Sequence, residues 1–165
     1  HMIFLGIAHA AMGHYGRLGG GEAGLGGQVF RRVGFRAALA KATQYAKDRR
    51  VFGRAIGQNQ GIQHPLARCW AHLEAAELMV MKAAALYDAG RECGAESNAA
   101  KYLAAEAGFS AAETAVMTHG GMGYAQEYHV ERYLRESLIP RIAPVSRELI
   151  LSHIAERVLG LPKSY

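Results

Sequence analysis

Apolar residues recur at every third or fourth position along most of this chain, and almost nowhere do they alternate with polar ones. This spacing predicts amphipathic helices, because a helical turn takes about 3.6 residues and brings such positions onto one face. Three long helices are predicted: one from Phe35 to near Arg49, one from about Ile62 to Gly90, and one from about Glu96 to a glycine turn at residues 120–123. No segment alternates for long enough to predict a strand.

Two shorter segments follow the glycine turn. A short helical segment is predicted from Glu127 to Arg135. The last helix has Ser146 as its N-cap, since a serine side chain can accept a hydrogen bond from the first turn, and it ends before Gly160. Each helix can bury its apolar stripe only against its neighbours. The pattern therefore predicts an all-α protein folded as an antiparallel four-helix bundle.

The first part of the chain has a different composition from the rest. Residues 19–27 contain six glycines in nine positions, which disfavours both helix and strand and is typical of a linker. We therefore expect an N-terminal extension and glycine-rich linker over residues 1–33, and the helical bundle over residues 34–165.

Charge and cysteine content narrow the classes of partner. The formal net charge is +5, but no predicted helix face is dense in Lys and Arg, so a nucleic-acid partner is not expected. Cys69 and Cys93 have neither metal-ligand spacing nor the density of a disulfide scaffold, so we expect no metal site and a reducing, cytoplasmic location. The apolar patch from Ile3 to Met12 is too short to span a bilayer, and membrane insertion is not expected.

The stretch from Arg49 to Gln60 combines residue types that suit a phosphate-linked ring. Arginine offers a fork of donors to a pyrophosphate, Phe52 offers an aromatic face to a base, and a glutamine amide both donates and accepts hydrogen bonds. The glycines at 120–123 allow the backbone to approach a ligand closely. The same residues are also compatible with a solvated loop whose Phe52 packs into the core, and with an ordinary helix C-cap.

Two motifs carry a resemblance to a known family. Residues 49–60 match the pattern Arg-x-x-Phe-Gly-x-x-Ile-x-x-x-Gln of the FAD-dependent acyl-CoA dehydrogenases at every defined position. Residues 117–124 resemble that family's Gln-x-His-Gly-Gly-x-Gly-Tyr turn, and residues 127–136 are similar to its next helix. From Ala37 to Tyr165 the chain resembles the C-terminal all-helical domain of this family.

The resemblance implies roles for individual residues. In the family, the Arg-Phe-Gly turn of one subunit reaches the FAD of its neighbour. By this resemblance Arg49 would bind the pyrophosphate, Phe52 would pack beside the adenine end, and Gln60 would hydrogen-bond to the same cofactor. The glycine turn approaches that neighbouring FAD as well, which implies backbone contacts from Gly120 and Gly121.

The resemblance also shows where this chain departs from the family. Ser146 would face the FAD of its own subunit, but the usual catalytic glutamate aligns with Pro144, which cannot act as a base, so no catalytic residue is assigned. Glu148, about one turn later, would be a substitute base, and a minority of the family places its base where Glu22 falls. Met117 stands where the family usually has a glutamine that contacts the neighbour's cofactor.

The function implied for the family is the α,β-dehydrogenation of acyl-CoA thioesters with FAD as cofactor. For this chain the resemblance implies self-association as a dimer or tetramer and a contribution to the FAD site of a neighbouring subunit. The family's N-terminal helical domain and β-domain have no counterpart here, so we expect a truncated product that is inactive alone. The alternative is a non-catalytic helical bundle that serves interaction and oligomerisation.

Overall fold

The computed structural model describes residues 35–164, which form a bundle of helices. The helices are α1 (Phe35–Asp48), α2 (Gln60–Asp88), α3 (Gly94–His119), α4 (Val130–Ser137), α5 (Ile139–Ile142) and α6 (Arg147–Arg157). Two short strands, β1 (Arg50–Val51) and β2 (Arg54–Ala55), and three 3₁₀ turns (Ile56–Gln58, Gly120–Tyr124 and Gln126–Tyr128) connect them. The predicted all-α four-helix bundle is confirmed. The glycine-rich stretch and the expected boundary at residue 33 lie outside the described residues.

Helix α3 lies at the centre of the bundle and contacts every other helix described. Its buried positions are nearly all small residues, which lets the surrounding helices approach its backbone closely. The buried small residues of α3 are Ala100, Ala105, Ala107, Gly108, Ala111, Ala112 and Ala115. At Gly108 the approach is closest, because a Cβ there would lie 2.4 Å from the ring of Phe35 on α1.

Two groups of buried side chains make the core on either side of α3. The first joins α1, α3 and the start of α4, and consists of Ala38, Ala42, Ala112, Ala115 and Val130. The second joins α2 and α3, and consists of Cys69, Leu73, Ala76, Ala107 and Ala111. On the surface, the guanidinium of Arg36 on α1 lies 2.7 Å from a carboxylate oxygen of Glu74 on α2 and holds the two helices together.

Several predicted helix ends are confirmed. Helix α2 ends at Asp88, and Gly90 follows with a φ of 66°, a left-handed conformation that favours glycine. Helix α3 ends at His119, and Gly120 follows with a φ of 60°. The side-chain oxygen of Ser146 accepts a hydrogen bond from the amide of Leu149 at 3.3 Å, so Ser146 is the N-cap of α6.

Two details of the sequence-based prediction were wrong. The loop after α1 contains a β-hairpin, which was missed because two residues per strand are too few to show an alternating pattern. The segment predicted from Glu127 to Arg135 is divided, because His129 adopts a φ of 63° between the last 3₁₀ turn and α4. Helix α3 begins at Gly94, within two residues of its predicted start near Glu96.

Candidate cofactor-binding site

The Arg-Phe-Gly motif forms the tip of the β-hairpin. Arg50 pairs with Ala55 and Val51 pairs with Arg54, which leaves Phe52 and Gly53 as a two-residue loop. The φ angles of Phe52 and Gly53 are 53° and 80°. Positive φ at both loop residues is the arrangement whose twist matches that of two antiparallel strands, and it explains why a glycine follows the phenylalanine.

Phe52 combines an unfavourable backbone conformation with a fully exposed side chain. Its side chain is 100% exposed, and a bulky residue in the left-handed region carries a backbone strain of about 1 kcal/mol or more. Phe52 therefore does not pack into the core of this chain. Arg49 and Gln60, at either end of the hairpin segment, are exposed as well. The segment is stiffened from within, since the Arg54 guanidinium donates to the Asn59 side-chain oxygen at 2.7 Å.

The glycine turn has an open side and a packed side. A Cβ added at Gly120 or Gly121 would meet no atom within 4 Å, so the backbone of both residues borders open space. A Cβ added at Gly123 would lie 2.6 Å from the carbonyl oxygen of Val116, so this residue closes the turn against α3. The turn can therefore present Gly120 and Gly121 to a ligand while Gly123 holds it in place.

A stack of three rings joins the glycine turn to the helix that precedes the hairpin. The ring of His119, the last residue of α3, stacks on the ring of Tyr45 in α1 at a centroid distance of 4.1 Å. The ring of Tyr128 meets both edge-on, at 5.6 Å from Tyr45 and 5.4 Å from His119. Tyr45 precedes Arg49 by one helical turn. The two predicted cofactor-binding segments therefore lie at the same end of the bundle.

His119 is buried, and its ring nitrogen Nδ1 lies 2.7 Å from the carbonyl oxygen of Ala115. A carbonyl only accepts, so Nδ1 carries a hydrogen and donates it, which leaves Nε2 unprotonated in the neutral ring. Burial lowers the pKa of His119 below its ordinary value, the hydrogen bond to Ala115 partly opposes this, and the charge of Lys41 lowers the pKa further.

Ser146 does not lie with the other predicted site residues. It precedes Arg147, whose guanidinium is 3.5 Å from the carboxylate of Glu106 in the middle of α3. Glu106 and Gly120 are 14 residues apart, which corresponds to about 20 Å along a helix. The structure thus brings Arg49, Phe52, Gln60 and the two glycines to one end of the bundle, and places Ser146 beside the middle of α3.

An ion-pair cluster, which the sequence reading missed, anchors the segment that contains Ser146. Arg141 binds both carboxylate oxygens of Glu106, at 2.9 and 3.2 Å, and its guanidinium lies 4.3 Å from the centre of the Phe109 ring. Because Arg147 binds the same carboxylate, the two arginines bracket residues 142–146. Lys101 donates to the carbonyl oxygen of Pro140. No spacing rule could reveal the cluster, since Arg141 and Arg147 are 35 and 41 residues from the carboxylate that they bind.

The carboxylate nearest to the family's catalytic position has the properties of a surface charge. Pro144 is exposed, and Glu148 is exposed in the first turn of α6 with its Oε1 2.7 Å from the Nε of Arg147. That hydrogen bond lowers the pKa of Glu148, which makes it a weaker base. Glu22 lies outside the described residues. Met117 lies in the last turn of α3, and its side chain is 74% exposed.

Comparison with known proteins identifies the family. The family model for the acyl-CoA dehydrogenase C-terminal domain matches residues 28–159. The chain is 47% identical over 132 residues to the acyl-CoA dehydrogenase FadE12 of Mycobacterium tuberculosis, a match that covers 79% of this chain and 34% of that protein. Two solved structures are also similar. A glutaryl-coenzyme A dehydrogenase–glutaryl-CoA complex has a TM-score of 0.80 at 32% identity, over 98% of this chain and 38% of the other. PigA with FAD and proline has a TM-score of 0.71 at 31% identity, over 75% of this chain and 32% of the other.

The chain therefore belongs to the acyl-CoA dehydrogenase family and corresponds to its C-terminal domain. The family depends on FAD. The chain spans about a third of the length of the relatives that it matches. Within residues 35–164, no helix combines the length and apolar character needed to cross a membrane. The same residues contain no group of three or more metal-ligating side chains placed to share an ion.

Proposed function

We propose that this chain is the helical part of an acyl-CoA dehydrogenase that contributes oligomer contacts and part of a neighbouring subunit's FAD site. The observation that carries the proposal is the state of Phe52, which is strained and fully exposed at the tip of a hairpin. Such a residue adds no stability to the folded domain by itself. A ligand or subunit that covers the ring would offset the strain.

The surface around Phe52 fits the phosphate-linked end of FAD. The Arg49 guanidinium can form a bidentate contact with a pyrophosphate, and the exposed ring of Phe52 can stack on an adenine. Gly120 and Gly121 border open space where a Cβ would find no neighbour, so a cofactor can approach their backbone. Gln60 has an exposed amide for a further hydrogen bond.

In the reaction proposed for the complete enzyme, bound FAD supplies an acceptor for the β-hydride of an acyl-CoA thioester. The residues of this chain bind and orient: Arg49 would hold the phosphates, and the Ser146 segment would border the FAD of the same subunit. No carboxylate among residues 35–164 is assigned to remove the α-proton, because Glu148 is exposed and held by Arg147.

Self-association is supported by a row of exposed apolar side chains on α2. Trp70, Leu78 and Met81 are 57%, 71% and 45% exposed, and their spacing places them on one face of the helix, away from the buried side. Trp70 also borders an apolar groove of about 380 Å³ between α1 and α2. A second copy that covers this face would remove the apolar surface from water.

The cofactor contact is tested by NMR titration of the chain with FAD. We expect the amides of residues 49–60 and 120–124 to shift together. We expect Arg49→Ala to weaken the apparent affinity tenfold or more, since a charge-assisted contact to phosphate contributes about 1.5–3 kcal/mol. The matched control is Arg68→Ala, an exposed arginine on α2. Equal weakening by both variants, or shifts spread evenly over the surface, would contradict the proposed site.

The oligomer contact is tested by light scattering over a range of protein concentrations. We expect the chain to self-associate, and we expect Leu78→Ser to shift the equilibrium toward the monomer about tenfold or more. The control is Leu159→Ser, because Leu159 is similarly exposed, at 66%, but follows α6. A monomer at all concentrations, or an equal effect of both variants, would contradict the assignment of the α2 face.

A further inference from the structure

A buried histidine between the two cofactor-binding segments has no role in the function described above. His119 is 5% exposed, ends α3, and directly precedes Gly120. Its ring stacks on Tyr45 in the last turn of α1 and meets Tyr128 edge-on. Tyr45 in turn lies four residues before Arg49, which leads from α1 into the hairpin. The ring stack is thus a direct contact between the helix that leads into the hairpin and the start of the glycine turn.

We propose that His119 is a positioning residue that holds the glycine turn in register with the Arg-Phe-Gly hairpin, and that protonation of its ring releases the turn. The coupling of the two segments is a property of this chain alone. Its consequence for FAD rests on the function proposed above, because the two segments would have to reach the same cofactor.

The surroundings of the His119 ring favour its neutral form. Nδ1 already donates to the carbonyl oxygen of Ala115, so a second proton must go to Nε2 and create a charge inside the stack. The titratable groups that face the ring from neighbouring elements are Lys41 and Tyr45 of α1 and Tyr128 of the 3₁₀ turn. None of these is a carboxylate that could stabilise the imidazolium, and Lys41 repels it.

The direction of the pH effect follows from burial. Burial and Lys41 hold the pKa of His119 below that of an unfolded chain, about 6.5, so the unfolded state binds more protons. The neutral ring therefore contributes stability that is fully present above pH 6.5 and is lost as the pH falls through the lower, folded-state pKa. Release of the glycine turn should follow the same titration.

The test is an NMR titration of the whole chain between pH 8 and pH 4.5. We expect the amides of residues 120–124 to shift with the same midpoint as the His119 ring, the ring contacts between His119 and Tyr45 to weaken, and the hydrogen-exchange protection of the turn to fall about fivefold or more. Independent titration of the ring and the turn, or unchanged protection below the midpoint, would overturn the proposal.

Two variants separate positioning from mere stability. His119→Phe keeps a flat ring that cannot be protonated, and we expect it to abolish the pH dependence of the turn. His119→Gln can still donate to Ala115 and serves if the first variant folds poorly. The matched control is His72→Gln, an exposed histidine on α2, which should leave the dependence intact. Persistence of the pH dependence in both His119 variants would overturn the proposal.

An added FAD titration distinguishes this inference from the proposed function. If FAD shifts the two segments at pH 8, its apparent affinity should fall about fivefold below the His119 midpoint in the unaltered chain and stay constant in His119→Phe. If FAD shifts neither segment at pH 8 while the coupled titration of ring and turn is observed, the positioning role stands and the proposed FAD contact fails. If FAD binds equally well on both sides of the midpoint, the positioning role toward the cofactor is overturned.

Discussion

The C-terminal end and the middle of α3 support different segments, and they do so in opposite ways. Near its C-terminal end the hairpin and the glycine turn display Arg49, Phe52 and two glycines to open space, and stacked rings join only their bases. Beside its middle the α5–α6 segment is fixed by its own charges, since Arg141 and Arg147 both bind Glu106. Polar groups that are exposed and unpaired are available to bind another molecule, whereas polar groups that pair with each other stabilise their own segment.

Gly123→Ala, on the packed side of the glycine turn, should cause the largest loss of stability. The new Cβ would lie 2.6 Å from the carbonyl oxygen of Val116 and 3.1 Å from its Cα, which are backbone atoms that cannot move aside. We expect the free energy of unfolding to fall by about 1–3 kcal/mol in urea denaturation. Gly121→Ala, on the open side of the turn, should change it by less than about 0.5 kcal/mol. Similar losses in both variants would show that the turn has no open side.

Glu106→Gln tests how the α5–α6 segment is anchored to the middle of α3. The substitution leaves two arginines without their shared carboxylate, and we expect the free energy of unfolding to fall by about 1 kcal/mol, the value for a charge-assisted pair that is partly exposed. Amide exchange at residues 143–149 should rise more than elsewhere. The control is Glu136→Gln, whose partner Arg132 is 3.5 Å away on the exposed face of α4. An equal effect of the two variants would mean that Glu106 is an ordinary surface charge.

Phe52→Asn tests whether the hairpin tip is kept for binding at the expense of stability. Asparagine adopts positive φ more readily than phenylalanine, and Asn-Gly is the preferred pair for such a loop, so we expect the free energy of unfolding to rise by about 0.5–1 kcal/mol. Phe52→Ala removes the ring but keeps the strain, and should give no gain. Both variants should weaken the FAD-induced shifts. A loss of stability in Phe52→Asn would show that the ring packs within this chain.

Met117→Gln should have the smallest effect on stability, and it should raise the FAD affinity rather than lower it. The side chain of Met117 is 74% exposed, so the substitution should leave the free energy of unfolding within about 0.5 kcal/mol of the original. If the family's glutamine contacts FAD here as well, the new amide should raise the apparent FAD affinity about two- to fivefold in the NMR titration, the size of one neutral hydrogen bond. Unchanged affinity would remove this position from the site.

The sequence was sufficient for features that depend on local rules. Helical spacing placed the long helices, glycine preference placed the ends of α2 and α3, and serine preference placed the N-cap of α6. The Arg-Phe-Gly and glycine-turn motifs were identified by their spacing, and the structure brings them to one end of the bundle. The roles given to Arg49, Gln60 and Ser146 stay predictions.

Features that depend on tertiary contact could not be read from the chain. Tyr45, His119 and Tyr128 are ordinary helix and turn residues until folding stacks their rings. Glu106 shows no signal in the sequence, because its partners come from 35 and 41 residues away. The exposure of Phe52 was left open, since the same motif is compatible with a ring that packs into the core.

The brevity of the hairpin also limits how this protein can be recognised. Each strand has only two residues, too few to offer an unpaired edge on which another chain could add a strand. An exposed aromatic residue on a longer strand would favour aggregation, because another chain could pair with the free edge of that strand. The strands of this hairpin are too short for such pairing. A molecule that binds the hairpin must therefore recognise its side chains rather than extend its sheet, so the aromatic ring of Phe52 can stay exposed with little risk of aggregation.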